Sequence, residues 1–71
     1  MKATQNVRIM EYLDQYGSIT QREATEKLGV ARLASRIDEL RKNGVVITTN
    51  RETGENRWGE PTTYARYWLV R

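Results

Sequence analysis

A chain of 71 residues, 38% hydrophobic and 30% charged, has room for one modest core and buries only about 60% of its unfolded surface on folding. It contains no cysteine and no histidine, which excludes a disulfide framework, a cysteine zinc site and the usual nucleophile–base pairs, so neither an enzyme nor a metal or cofactor is expected. Net charge is +3, and all of it lies in residues 31–71, where eight basic side chains face five acidic ones; residues 1–30 balance at four of each.

No apolar run follows the start of the chain, so no secretory leader or membrane span is expected, and the cytoplasm is the expected compartment. A first helix is predicted over about residues 4–16, with Val7, Met10 and Leu13 as its buried stripe and Ile9 and Tyr16 beside it. Gly17 is placed to end it in a left-handed conformation. Ser18-Ile19 reads as a short extended bridge.

Thr20 and Glu23 form the S/T-x-x-E pattern of a capping box, so a second helix is predicted over about 21–28. Ala24 and Leu28 would be its buried residues. Gly29 supplies a turn, and Val30 tucks beneath it. A third helix over about 31–42 buries Leu33, Ile37 and Leu40 at i, i+4 and i+7, with Ala34 at the edge of the stripe. Asn43-Gly44 ends it. A helix that stops at a glycine and restarts at once crosses its predecessor steeply, which turns the later helix outward.

After Gly44 the period changes from 3.6 to 2. Strands are predicted over about 45–50 and 64–70, with Val45, Ile47, Tyr67 and Leu69 facing inward. Residues 51–63 between them are polar, carry Gly54, Gly59 and Pro61, and read as a long hairpin tip. The expected architecture is α+β: one domain over 1–71, a three-helix helix-turn-helix bundle followed by a two-stranded antiparallel wing.

Several runs carry a resemblance: Ser18-Ile19-Thr20 with Glu23-Ala24, then Leu28-Gly29-Val30, then Arg32-Leu33-Ala34-Ser35-Arg36-Ile37-Asp38-Glu39-Leu40-Arg41. Asn43-Gly44, Ile47-Thr48-Thr49 and Arg66-Tyr67-Trp68-Leu69 continue it. Across nearly its whole length the chain resembles the winged helix-turn-helix superfamily, in particular the small domains common in phages and prophages. The resemblance implies DNA binding, with the helix that begins near Ala31 as the recognition helix and the hairpin as the wing. Ala31 departs from the Ser, Thr or Asn that often caps such a helix. Glu52, Glu55 and Glu60 in the wing argue against deep insertion of its tip into a groove.

The face of helix three opposite its core stripe carries Ala31, Arg32, Ser35, Glu39 and Lys42, with Arg36 on the flank. Arg32 and Arg36 have the fork that pairs with guanine O6 and N7, and Ser35 suits a base edge or a phosphate. The alternative is a merely solvated helix face. Gln21 and Arg22, at the positive end of helix two, are placed to clamp a phosphate or to lie in solvent. Arg51 and Arg57 sit where a wing reaches backbone or minor groove. Trp58 is expected to fold back over the sheet or else to meet DNA or a partner. Trp68 is expected on the outer side of the hairpin, at a possible homodimer or partner interface.

The leading expectation is therefore a sequence-specific double-stranded DNA-binding protein, a small phage or prophage transcriptional regulator that assembles weakly as a dimer or cooperatively on DNA. The alternative is a winged helix used as a protein-interaction module, an adaptor or inhibitor of a host protein. A weaker third reading is single-strand binding through Trp58, Tyr64, Tyr67 and Trp68.

Overall fold

The computed structural model describes residues 4–71. Helix α1 (Gln5–Tyr16) starts where the Thr4 hydroxyl accepts the Val7 amide at 3.2 Å, and it ends at Gly17, whose φ of 84° returns its N–H to the Leu13 carbonyl. Its buried stripe is Ile9 and Leu13, both at 0% exposure, with Met10 and Tyr12 packed alongside. Val7 is 45% exposed and Tyr16 61%, so neither joins the core as expected. Two apolar stripes overlap on this helix, and packing selects the one that stacks a full turn, i to i+4. The open carbonyls at its end are met by Arg71, which donates to the carbonyls of Leu13 and Asp14 and lies 3.5 Å from the Asp14 carboxylate. A cation here also opposes the negative end of the helix dipole.

Ser18–Thr20, expected as a bridge, is a strand, β1. It pairs antiparallel with β3 (Pro61–Leu69), which pairs antiparallel with β2 (Ile47–Glu55), giving the order β1-β3-β2. Three residues are too few to show a period, but Ile19 is fully buried opposite Tyr67. The long tip expected over residues 51–63 is mostly strand. Arg51 pairs with Ala65, Glu52 with Tyr64 and Thr53 with Thr63, which leaves only residues 56–60 as the turn. Cross-strand pairing has overridden a weak local preference.

Helix α2 (Gln21–Glu23) runs directly into a π-helical turn, Ala24–Leu28. The Ala24 carbonyl accepts the amides of both Gly29 and Val30, and Gly29 takes φ 66°. Arg8 of α1 donates to the Leu28 carbonyl at 3.1 Å. The chain then re-enters helix at α3 (Leu33–Lys42), two residues later than the sequence suggests. The core gathers Ile9 and Leu13 of α1, Ile19, Ala24, Val30, Leu33, Ile37, Leu40 and Ile47. All three helical segments and the root of the hairpin thus meet in one cluster.

Two arginines fix the hairpin to this body. Arg41 of α3 donates to the Ile47 carbonyl at 2.8 and 3.1 Å and to the Thr49 hydroxyl at 2.8 Å, with Tyr67 beneath its guanidinium. It also covers part of the open edge of β2, which otherwise invites strand addition. On the other side, Arg66 of β3 donates to Glu52 at 3.0 Å, to Ser18 at 3.1 Å and to Glu23 at 3.3 Å. Glu23 is the capping-box residue: it accepts the Thr20 amide at 3.0 Å while Thr20 accepts that of Glu23 at 3.2 Å. A single guanidinium therefore links the wing to the start of α2.

Ile37→Ala is expected to cost about 2–5 kcal/mol, enough to unfold much of a domain this small, as read by denaturant titration. The Arg66 hydrogen bond holds the Glu52 carboxyl below its ordinary 4.5, and it raises Arg66 in turn. The folded state thus prefers Glu52 ionised. Its contribution is complete above the unfolded value and is lost as pH falls through the depressed one. Glu52→Gln should lower stability at neutral and basic pH, change little in acid where Glu52 is already protonated, and so flatten the acid limb of the stability–pH curve below about pH 4.5.

Candidate nucleic-acid interface

Helix α3 lacks a cap of its own. Arg32 is the N-cap, with φ −124° and ψ 69°, and its side chain accepts nothing. The cap arrives from α2: the Gln21 side-chain oxygen accepts the Leu33 amide at 2.9 Å. The nitrogen of the same amide donates to the Val30 carbonyl and to the Thr25 hydroxyl, each at 2.9 Å. Thr25 adds a bond to the Val30 carbonyl at 3.3 Å. Gln21, expected on a phosphate, thus has its amide committed to closing the turn between the two helices.

That closure leaves the entrance of α3 bare. Ala31 and Arg32 are exposed, and the Arg32 side chain forms no ion pair or hydrogen bond with the described residues. Beyond it the exposed side is turned from the expected one, toward Ala34 and Asp38, while Ser35, Arg36 and Glu39 are half-buried. Arg36 pairs with Glu39 at 2.8 Å and has a side chain only 34% exposed, with its Nε buried and unpartnered among the described residues. Lys42 pairs with Asp38 at 3.3 Å.

Between the α2–π-turn segment and the wing lies an open cleft. Arg22 of α2 and Glu26 and Lys27 of the π-helical turn line one side, Ala34 is the one α3 residue that reaches it, and Glu55, Tyr64 and Arg66 belong to the wing side. Arg22 reaches Glu26 at 3.2 Å, with both side chains largely in solvent. Arg51 projects from β2, exposed, and Arg57 sits at the tip. Trp58 does not fold back over the sheet. It is 74% exposed at the end of the hairpin, because a turn this tight carries its side chain beyond both strands. Trp68 does lie on the outer face, 39% exposed, beside Thr48. Its indole N–H lies 3.3 Å from the Asn50 amide when that amide turns its oxygen toward it. Val46 and Val70 flank it and are also exposed.

Of the residues singled out from the sequence, the cleft takes in Gln21 and Arg22, while Ala31, Arg32, Arg51 and Arg57 are exposed outside its lining and Trp58 and Trp68 do not line it either. Sequence reasoning did not single out Ala34 and Lys27 as parts of that cleft, nor Arg41 and Arg66 as its supports. No helical or strand period marks them, since Arg41 acts across the turn from α3 into β2 and Arg66 through residues far away in the chain. The working role of Gln21 is open to a direct test. Gln21→Ala leaves the Leu33 amide and Val30 carbonyl short of partners and should cost about 1–2 kcal/mol. In a domain of this size that lowers Tm by roughly 4–8 °C per kcal/mol, readable by calorimetry.

No helix among the described residues is long and apolar enough to cross a membrane, and none of their acidic side chains cluster as a metal site. No curated protein matches the chain. A family model described as a winged helix-turn-helix domain matches residues 4–71, nearly the whole chain. Helix, turn, outward helix and antiparallel hairpin stand in the order which that description requires, and DNA binding is the general role it suggests. The chain belongs to the winged helix-turn-helix domain family.

Proposed function

We propose that the protein is a sequence-specific double-stranded DNA-binding regulator of transcription, acting in the cytoplasm, with α3 in the major groove and the wing on backbone or minor groove. The observation that carries this reading is the bare entrance of α3: a turn locked by Gln21 presents Arg32 exposed and without a partner. Arg32 is the residue assigned to base edges, with Ala31 and Ser35 beside it and Arg36 on the flank. Arg22, Lys42, Arg51 and Arg57 are assigned to phosphates. The ion pairs of Arg22 and Lys42 do not oppose this, because exposed pairs are worth only about 0–1 kcal/mol and exchange readily for phosphate. One such helix reads only about 3–5 base pairs, so the reading includes weak dimerisation or cooperative assembly on repeated sites. The resemblance of its turn and third helix to small phage and prophage domains supports a regulator of that kind.

A second reading, a winged helix that binds protein instead, is favoured by one observation. Arg22, Arg36 and Lys42 each face a carboxylate of the same chain, which lowers the positive potential of the surface. Selection from a randomised duplex pool at about physiological salt separates the two, since only the first reading yields an enriched motif. Against that motif, Arg32→Ala should weaken binding about 5- to 100-fold and relax specificity at one position. Wild-type affinity should fall steeply as salt rises. Retention of no duplex at all would remove the DNA reading.

A further inference from the structure

At the tip of the wing, Trp58 is held in place by its backbone and left open by its side chain. The turn is closed by Asn56: its side-chain oxygen accepts the amides of Trp58 at 2.9 Å and Glu60 at 3.0 Å, and its side-chain nitrogen donates to the Glu60 carboxylate at 3.3 Å. Main-chain bonds from Asn56 to the Glu60 carbonyl and from Gly59 to the Asn56 carbonyl, both 3.0 Å, complete it. The indole above this frame is 74% exposed. An aromatic ring with few free torsions on a fixed turn loses little entropy when it is buried by a partner.

The surroundings of the ring specify the partner. The Arg57 guanidinium lies 5.5 Å from its centroid, a cation–π contact that covers one face and leaves the other to a planar apolar group. Of the three wing acids that argue against insertion of the tip, Glu52 is held by Arg66 and Glu60 by Asn56, so only Glu55, in the strand before the turn, opposes a phosphate as a free side chain. The reach fits as well. Pairing with β1 ends at Arg66, and β3 continues to Pro61 beyond it. At about 3.3 Å per residue this carries the tip roughly 16 Å past the body. Half a turn of B-DNA is about 17 Å, the step from one groove to the next.

We propose that Trp58 is a base-step wedge. On a duplex held by α3, its free face enters a step from the minor groove, partly unstacks it and kinks the DNA, with Arg57 against the flanking backbone. This rests on the DNA-binding reading above. It adds an architectural activity, bending, and a preference for the easily unstacked TA and CA/TG steps.

The test uses the full chain carrying Trp68→Phe, which leaves Trp58 as its one tryptophan. It is titrated with a mixed-sequence duplex of about 30 base pairs, rich in TA steps and labelled at both ends for energy transfer. The expected result is quenching of Trp58 emission together with end-to-end shortening for a bend of about 20–90°. Trp58→Ala should abolish the bend and weaken binding about 5- to 100-fold, while backbone protection under α3 persists; Trp58→Phe should retain part of both. Duplex binding with unchanged Trp58 emission and no bend would overturn the wedge and leave the DNA reading standing. Equal quenching by single strands with no duplex bend would also overturn it, in favour of simple stacking. Failure of the wild-type chain to bind duplex would remove both.

Discussion

The amide of Gln21 holds together the part of the molecule on which everything else is hung. It accepts from Leu33 and donates to Val30 and Thr25, so one side chain caps α3, satisfies the turn and sets the angle between two helical segments. The α3 helix has no capping side chain of its own, and the first amides of a helix cannot be buried unpaired. Its beginning at Leu33 rather than near Ala31 follows from where this remote acceptor lies. The two residues thereby released from the helix, Ala31 and Arg32, form the exposed corner to which a role in recognition is assigned.

A second constraint makes the wing a rigid extension of the body. A two-stranded hairpin is only marginally stable alone. Here β1 adds a third strand at its root, Arg41 fastens β2 to α3, and Arg66 fastens both strands to the capping box of α2. Arg66 is only about one-fifth exposed and has three polar partners, the condition under which a charge is tolerated away from water. The capping box thus serves two ends at once: Glu23 satisfies the Thr20 amide and anchors the wing. The same support explains how a hairpin of nine-residue strands can hold its tip at a fixed distance from α3.

The surface charge follows a related pattern. Three cations of the helical segments are matched within about a turn of helix by carboxylates, Arg22 by Glu26, Arg36 by Glu39 and Lys42 by Asp38. Arg32 and Arg51 stand apart as exposed arginines with no pair among the described residues. A surface built this way attracts a polyanion weakly at long range and puts weight on a few positions, which suits discrimination more than bulk affinity.

Much of this was legible along the chain because it depends on neighbours. The Thr20/Glu23 box, the Gly17 and Gly29 turns, and the Leu33-Ile37-Leu40 stripe are set by contacts within one or two helical turns, where sequence spacing is spatial proximity. The switch to β-branched residues after Gly44 announced the hairpin, and the order of elements the α+β winged-helix class. What the sequence could not decide is what depends on partners far away in it. Whether Val7 or Ile9 turns inward on α1, whether Ser18–Thr20 is a bridge or a strand, and how far the hairpin stays paired were settled by packing and cross-strand bonds. So were the fates of single side chains: Gln21 drawn into the turn, Arg66 into a three-way junction, and Trp58 left in solvent. Local spacing fixes which elements form, because their hydrogen bonds close within a few residues. Only the assembled structure decides which polar side chains are spent on holding those elements together and which remain for a partner.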